Sequence, residues 1–211
     1  MKTSANRDLF EYWNKRRGHR IAPERGDIQP DAIRHVLGDS FFLAADAAAS
    51  FPFRLAGTRV CAMFGHELKS DSFFNLWGKS DQATIRELMN VVVDEKVGVV
   101  AQASGRTTDG APLVVNLELL LLPLLQRGPL DARVLGAFVP VTTPFWLGAR
   151  FVGPLELGAL RHVGPTVDRA PAPRLMPGTP VAPVAEVPNS PIRLSGQIRR
   201  GLVVYEGGRR D

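Results

Sequence analysis

The chain has 211 residues, 45% of them hydrophobic and 22% charged, with a net charge of +5 and a single cysteine. That length supports one sizeable core plus extensions. One cysteine excludes a disulfide framework within the chain and any cysteine-rich zinc site. The apolar run Leu119 to Leu125 is far short of the roughly 20 residues a transmembrane helix needs, and residues 1–8 lack the apolar stretch of a secretory signal. The expectation is a soluble cytoplasmic protein with no membrane partner.

In chain order, residues 1–20 read as a helix. Ser4 is its expected cap, Leu9, Phe10, Trp13 and Arg17 recur at helical spacing, and Gly18 ends it. Residues 21–30 form a loop through Pro23, Gly26 and Pro30. Asp31 to Leu37 suits a short helix before Gly38. Phe41 to Ala45 reads as a strand, and Phe51 to Gly57 as a second one with Phe51, Phe53 and Leu55 on one face. Thr58 to Phe64 suits a short helix closed by Gly65, and Phe73 to Trp77 another helical turn. The strongest helix follows: Ser80 as cap, Asp81 in the first turn, a stripe of Ile85, Leu88, Met89 and Val92, and Lys96 in the last turn.

Three strands come next, Val99 to Thr107, Leu113 to Leu122 and Val134 to Val141. Asp109-Gly110 turns the first into the second. In the second, Val115, Leu117, Leu119 and Leu121 share an apolar face, while the opposite face starts with Asn116 and Glu118. Periodicity groups these two but does not say whether they face a cavity or the outside. Residues Phe145 to Leu160 are ambiguous. Eight of the 17 prolines lie between Pro165 and Pro191, where neither helix nor central strand can run. The organisation read from this is an N-terminal helix over 1–20, a body over 21–163, a Pro-rich linker over 164–191 and a tail over 192–211. The tail holds one strand-like run, Gly201 to Tyr205. The fold class is α+β: a five-stranded antiparallel sheet with helices on one face.

Two strands, a helical insert and three strands match the order of the PAS fold. Short segments add to this. They are Tyr12-Trp13 with Arg17-Gly18, then Pro23, Arg25, Asp27-Ile28 and Pro30, then Phe53-Arg54-Leu55-Ala56-Gly57-Thr58. Phe64-Gly65 with Glu67-Leu68 follows, and the ending is Val203-Val204-Tyr205-Glu206-Gly207-Gly208-Arg209. Together they resemble a bacterial PAS-like family. The resemblance implies a sensory or interaction module in signal transduction and names no ligand.

In that setting the ligand-pocket candidates are Arg54, Thr58, Phe64, Phe74, Trp77 and Asn116. Gly57, between Arg54 and Thr58, is expected to supply a backbone angle that other residues resist. Leu9, Tyr12 and Trp13 are the partner candidates, because a leading amphipathic helix must bury its stripe on the sheet's outer face or on a second chain. A homodimer and a further signalling protein are the expected partners. Cys61 precedes the Phe64-Gly65 pair rather than following it, which gives no support for flavin photochemistry. The helix over residues 81–96 contains no histidine, which gives none for haem. His19, His35, His66 and His162 show no metal-ligand spacing. No catalytic motif is present. A non-catalytic module acting through protein contacts, with or without a small molecule in its cavity, is therefore expected. The alternatives are an enzyme with a convergent site in that cavity, or binding of anionic nucleotide or nucleic acid through the Arg-rich termini.

Overall fold

The computed structural model describes residues 1–45, 50–125 and 132–164, with two short strands further on. The chain divides into two units, Met1–Asp168 and Arg169–Asp211. The second unit contributes the antiparallel pair β7 (Gln197–Arg199) and β8 (Leu202–Val204). β8 lies within the strand-like run read at Gly201 to Tyr205. From residue 165 onward, the rest of the expected Pro-rich linker and tail lies outside the described residues.

The first unit is built on strands β1 (Ser40–Ala44), β2 (Phe53–Ala56), β3 (Gly98–Arg106), β4 (Val114–Pro123), β5 (Ala132–Pro140) and β6 (Glu156–Val163). They form one antiparallel sheet in the order β2-β1-β5-β4-β3-β6. Three α-helices accompany it: α1 (Ser4–Arg17), α2 (Thr58–Phe64) and α3 (Gln82–Asp94). The architecture is α+β and consistent with a PAS fold. It has one strand more than expected, because β6 adds to the β3 edge.

Side-chain alternation along β4 explains the two faces. Val115, Leu117, Leu119 and Leu121 point into an inner core with α2, α3 and the helical turn at Phe73–Leu76. Leu120 and Leu122 point the other way, into an outer core with Leu9 and Trp13 of α1 and with Ile28, Ile33 and Val36. The stripe of α1 is thus covered by the chain's own sheet, and Leu9 and Trp13 have no exposed surface. They are not available as a partner surface while α1 is docked.

Several local expectations change for identifiable reasons. A register shift between Phe42 and Leu43 puts a bulge at Arg54, so Phe53 opposes Leu43 and Leu55 opposes Phe42. That bulge separates the faces: Phe53 is buried and Leu55 is 45% exposed. Thr3, not Ser4, stands at the N-cap of α1, and Asp81, not Ser80, at that of α3. The Asp81 carboxylate does not cap; it accepts the Leu157 amide of β6 at 2.8 Å. Lys96 lies beyond α3 with a φ of 57°. Asp31 to Leu37 forms no single helix, only 3₁₀ turns at Pro30–Ile33 and Leu37–Asp39.

Residues 141–155 belt the inner layer. The Val152 amide donates to Met63 O at 2.9 Å, the Leu155 amide to Leu76 O at 2.8 Å, and the Gly78 amide to Leu155 O at 2.9 Å. Arg150 reaches the β3–β4 hairpin, donating to Asp109 Oδ1 at 3.1 Å and to Ala111 O at 3.0 Å. Within this segment Phe145 is 99% exposed.

Gly57 turns β2 into α2 with an ordinary φ of −70°, so its need for glycine is one of space. A Cβ there meets Leu37 O at 2.1 Å and Gly38 O at 2.4 Å. Both are backbone atoms, which cannot rotate away. Gly57→Ala is expected to cost about 3 kcal/mol, read as a lowered urea midpoint. Thr58→Ala, one residue on and exposed, should leave the midpoint nearly unchanged.

Candidate functional site

The inner core is where a PAS-like cavity is expected, and it is occupied by rings. Phe73 lies 5.8 Å from Phe41, 6.0 Å from Phe53, 5.9 Å from Trp77 and 6.1 Å from Phe138, centroid to centroid. Phe64 reaches Phe138 at 6.1 Å, and Phe74 meets Phe51 edge-on at 5.9 Å. These are ordinary aromatic packing distances. Of the six pocket candidates, Phe64, Phe74 and Trp77 come together here. The other three do not. Arg54 is exposed at the β2 bulge, Thr58 is exposed at the start of α2, and Asn116 is exposed on the outer face. The Trp77 indole N–H is buried with no acceptor among the described residues.

Polar chemistry is concentrated on the outer face. Glu118 projects from β4 beside Leu120 and Leu122 and is only 2% exposed. Its carboxylate is surrounded by donors from the first six residues. Oε1 accepts the Lys2 amide at 2.5 Å. Oε2 accepts the Thr3 amide at 3.0 Å, the Thr3 hydroxyl at 2.7 Å and Asn6 Nδ2 at 3.2 Å. Asn6 Nδ2 also donates to Glu118 O at 3.0 Å. A buried carboxylate thus sits at the amino end of α1, where the helix dipole favours a negative charge. Burial pushes the Glu118 pKa up, but the Lys2 and Thr3 amides and the Thr3 and Asn6 side chains outweigh it. The group is held below its ordinary value.

The remaining ties of α1 are fewer. Trp13 Nε1 donates to Pro123 O at 2.9 Å. The Tyr12 hydroxyl accepts the Gln29 amide at 2.8 Å and donates to Asp27 O at 3.3 Å. Tyr12 therefore clasps the segment after the helix instead of facing outward. Arg25 of that segment lies 4.1 Å above the Phe42 ring. The Tyr12-Trp13 and Pro23-to-Pro30 segments meet in this one layer. Sequence reasoning noticed Glu118 but not its role. The available signal was a carboxylate on the same strand face as Leu120 and Leu122, which demands donors from elsewhere.

Among the described residues no cluster of three metal-ligating side chains occurs, and no helix is long and apolar enough to cross a membrane. The Cys61 thiol is raised above its ordinary pKa, chiefly by burial, the opposite of an activated nucleophile. The family described as PAS domain matches residues 1–139, more than half of the chain. No curated protein matches it.

Glu118→Gln keeps the shape but replaces an acceptor by an NH₂ group facing donors. It is expected to destabilise the fold by about 2–3 kcal/mol near neutral pH. Because the folded-state pKa is lowered, the carboxylate's contribution is present above the ordinary glutamate range, about 4.3. It is lost as pH falls through the lower folded value. The stability gap between wild type and Glu118→Gln should therefore close below about pH 4, as followed by denaturant midpoints. A gap constant between pH 7 and pH 3 contradicts the assignment.

Proposed function

The chain belongs to the PAS domain family, and we propose that it is a regulatory module that signals by releasing and re-docking α1 on the outer face of its sheet. PAS domains are in general sensory or regulatory modules. The observation that carries the finer reading is the polar anchor at Glu118. An apolar helix–sheet contact alone loosens gradually. A buried carboxylate shared among four donors tends to be either satisfied or vacated, which makes two discrete arrangements. The inner core, packed ring against ring and belted by residues 141–155, supports placing the moving part on the other side.

Release exposes matching apolar surfaces, Leu9 and Trp13 on the helix and Leu120, Leu122, Leu135 and Ala137 on the sheet. Exchange of α1 between two copies rebuilds the same contacts in trans, so a homodimer is the assembly this geometry favours. A signalling partner presenting an amphipathic helix fits the same face. This reading needs no catalytic step.

Native-state hydrogen exchange checks it. Amides of α1 are expected to exchange through an opening smaller in free energy than that of the β3, β4 and β5 amides. Glu118→Gln should lower the α1 opening further while leaving the strands on the global limit. If α1 amides exchange only with global unfolding, helix release is not the signal.

A further inference from the structure

A second feature lies at the end of β5, around Val139 and Pro140. A recess of about 220 Å³ opens between α2 and the segment after β5. Ala62 and Met63 of α2 form one wall, Val139 and Pro140 of β5 the base, and Thr143 and Leu147 the other wall. That far wall belongs to residues beyond the part matched by the PAS domain family, which ends at residue 139.

Asp39 and Arg59 stand at the rim. Arg59 Nε donates to Asp39 Oδ1 at 2.7 Å, and its Nη2 donates to Asp39 Oδ2 at 2.6 Å and to His35 O at 3.2 Å. The guanidinium lies flat over Gly38, where a Cβ would come within 2.8 Å of its Cζ. The fork is therefore fixed by two bonds to one carboxylate. The Arg59 side chain remains 57% exposed, while that of Asp39 is 11% exposed.

Size and charge define what fits. An apolar cavity of about 150 Å³ holds benzene, and drug-sized ligands need about 300 Å³ or more. A recess of about 220 Å³ takes one ring and a small substituent. At the rim, each charge of the ion pair is already met by the other. An anionic head group that bonds Arg59 competes with Asp39 for it, and a cationic one meets the exposed Arg59 guanidinium. An uncharged head that both donates and accepts can bond to the pair without parting it. Thr143 adds a hydroxyl.

We propose that this recess binds a small uncharged molecule, a single aromatic ring carrying a hydroxyl or carboxamide group, with the ring against Met63, Pro140 and Leu147 and the head group on the Arg59–Asp39 pair. Its lining shares no residue with the donors of the α1 anchor, although Val139 pairs with Glu118 across β4 and β5.

The test uses the full chain with its methionine methyl groups labelled, titrated with benzyl alcohol, benzoate and benzylammonium at equal concentrations. Benzyl alcohol is expected to shift the Met63 methyl resonance saturably while leaving that of Met89, in the inner core, unmoved. The two ions should bind at least about tenfold more weakly, since the anion must compete with Asp39 for Arg59 and the cation meets the Arg59 guanidinium. Ala62→Phe, at an exposed position, should fill the recess and abolish the shift. Leu147→Trp does the same from the opposite wall should Ala62→Phe fail to fold. A Met89 shift in place of Met63, equal binding of all three probes, or unchanged binding by the filled variants overturns the proposal. An unsaturated drift of all resonances overturns it as well.

Discussion

The outer layer of this molecule hangs on one ionised side chain. Glu118 sits on a sheet face that also carries Leu120 and Leu122, where a carboxylate without donors is untenable. The chain meets that demand with its own first six residues. The Lys2 and Thr3 amides and the Thr3 and Asn6 side chains converge on the two oxygens. Once they do, the start of α1 is fixed, and the helix must run across the sheet. Leu9 and Trp13 then reach the outer core, and Tyr12 falls where it can hold the backbone at Asp27 and Gln29. The loop between α1 and β1 inherits its path from that clasp. Thr3 is drawn into this network as well, so it stands at the N-cap of α1 without capping the helix.

The elements legible in the sequence were those that carry their own local signal. The strands β3 and β4 show a hairpin turn and alternation, and α3 shows a four-residue stripe of Ile85, Leu88, Met89 and Val92. What was hidden is non-local. β6 reads Glu156-Leu157-Gly158-Ala159-Leu160, and its side chains are half-buried at most, so there is no alternation to see. It is a strand because its backbone pairs with β3, whose other edge already belongs to β4. Leu55 reads as a partner of Phe53 only until the bulge at Arg54 sends it to the other face. Gly57 looks like a conformational glycine and is instead a clearance between two carbonyls.

The candidate site was legible by residue type more than by place. Among the aromatic residues between positions 64 and 77, Phe64, Phe74 and Trp77 meet in the inner core. The other three candidates, Arg54, Thr58 and Asn116, are polar. They lie at the surface, because the bulge, the helix start and the strand parity each turn them outward. Parity also decides Glu118. Its face became readable only once Val115, Leu117, Leu119 and Leu121 were known to point into the core beneath α2 and α3. The short segments that carry the family resemblance in the first 65 residues are, physically, the staples and corners of this architecture: Tyr12, Trp13, Arg25, Gly57 and the left-handed Gly65 that closes α2.

The two faces of the sheet are held in different ways, and this asymmetry bears on where motion can occur. On the inner side, backbone hydrogen bonds from residues 152 to 157 tie α2, the turn at Leu76–Gly78 and the start of α3 to the β6 edge. These ties add to the ring packing around Phe73 that holds the same layer. On the outer side, α1 is joined to the sheet by side chains: one carboxylate, one indole N–H and an apolar stripe. Its own backbone hydrogen bonds are internal to the helix. The contacts that hold α1 therefore differ in kind from those of the inner layer, and the ones that depend on charge converge on Glu118.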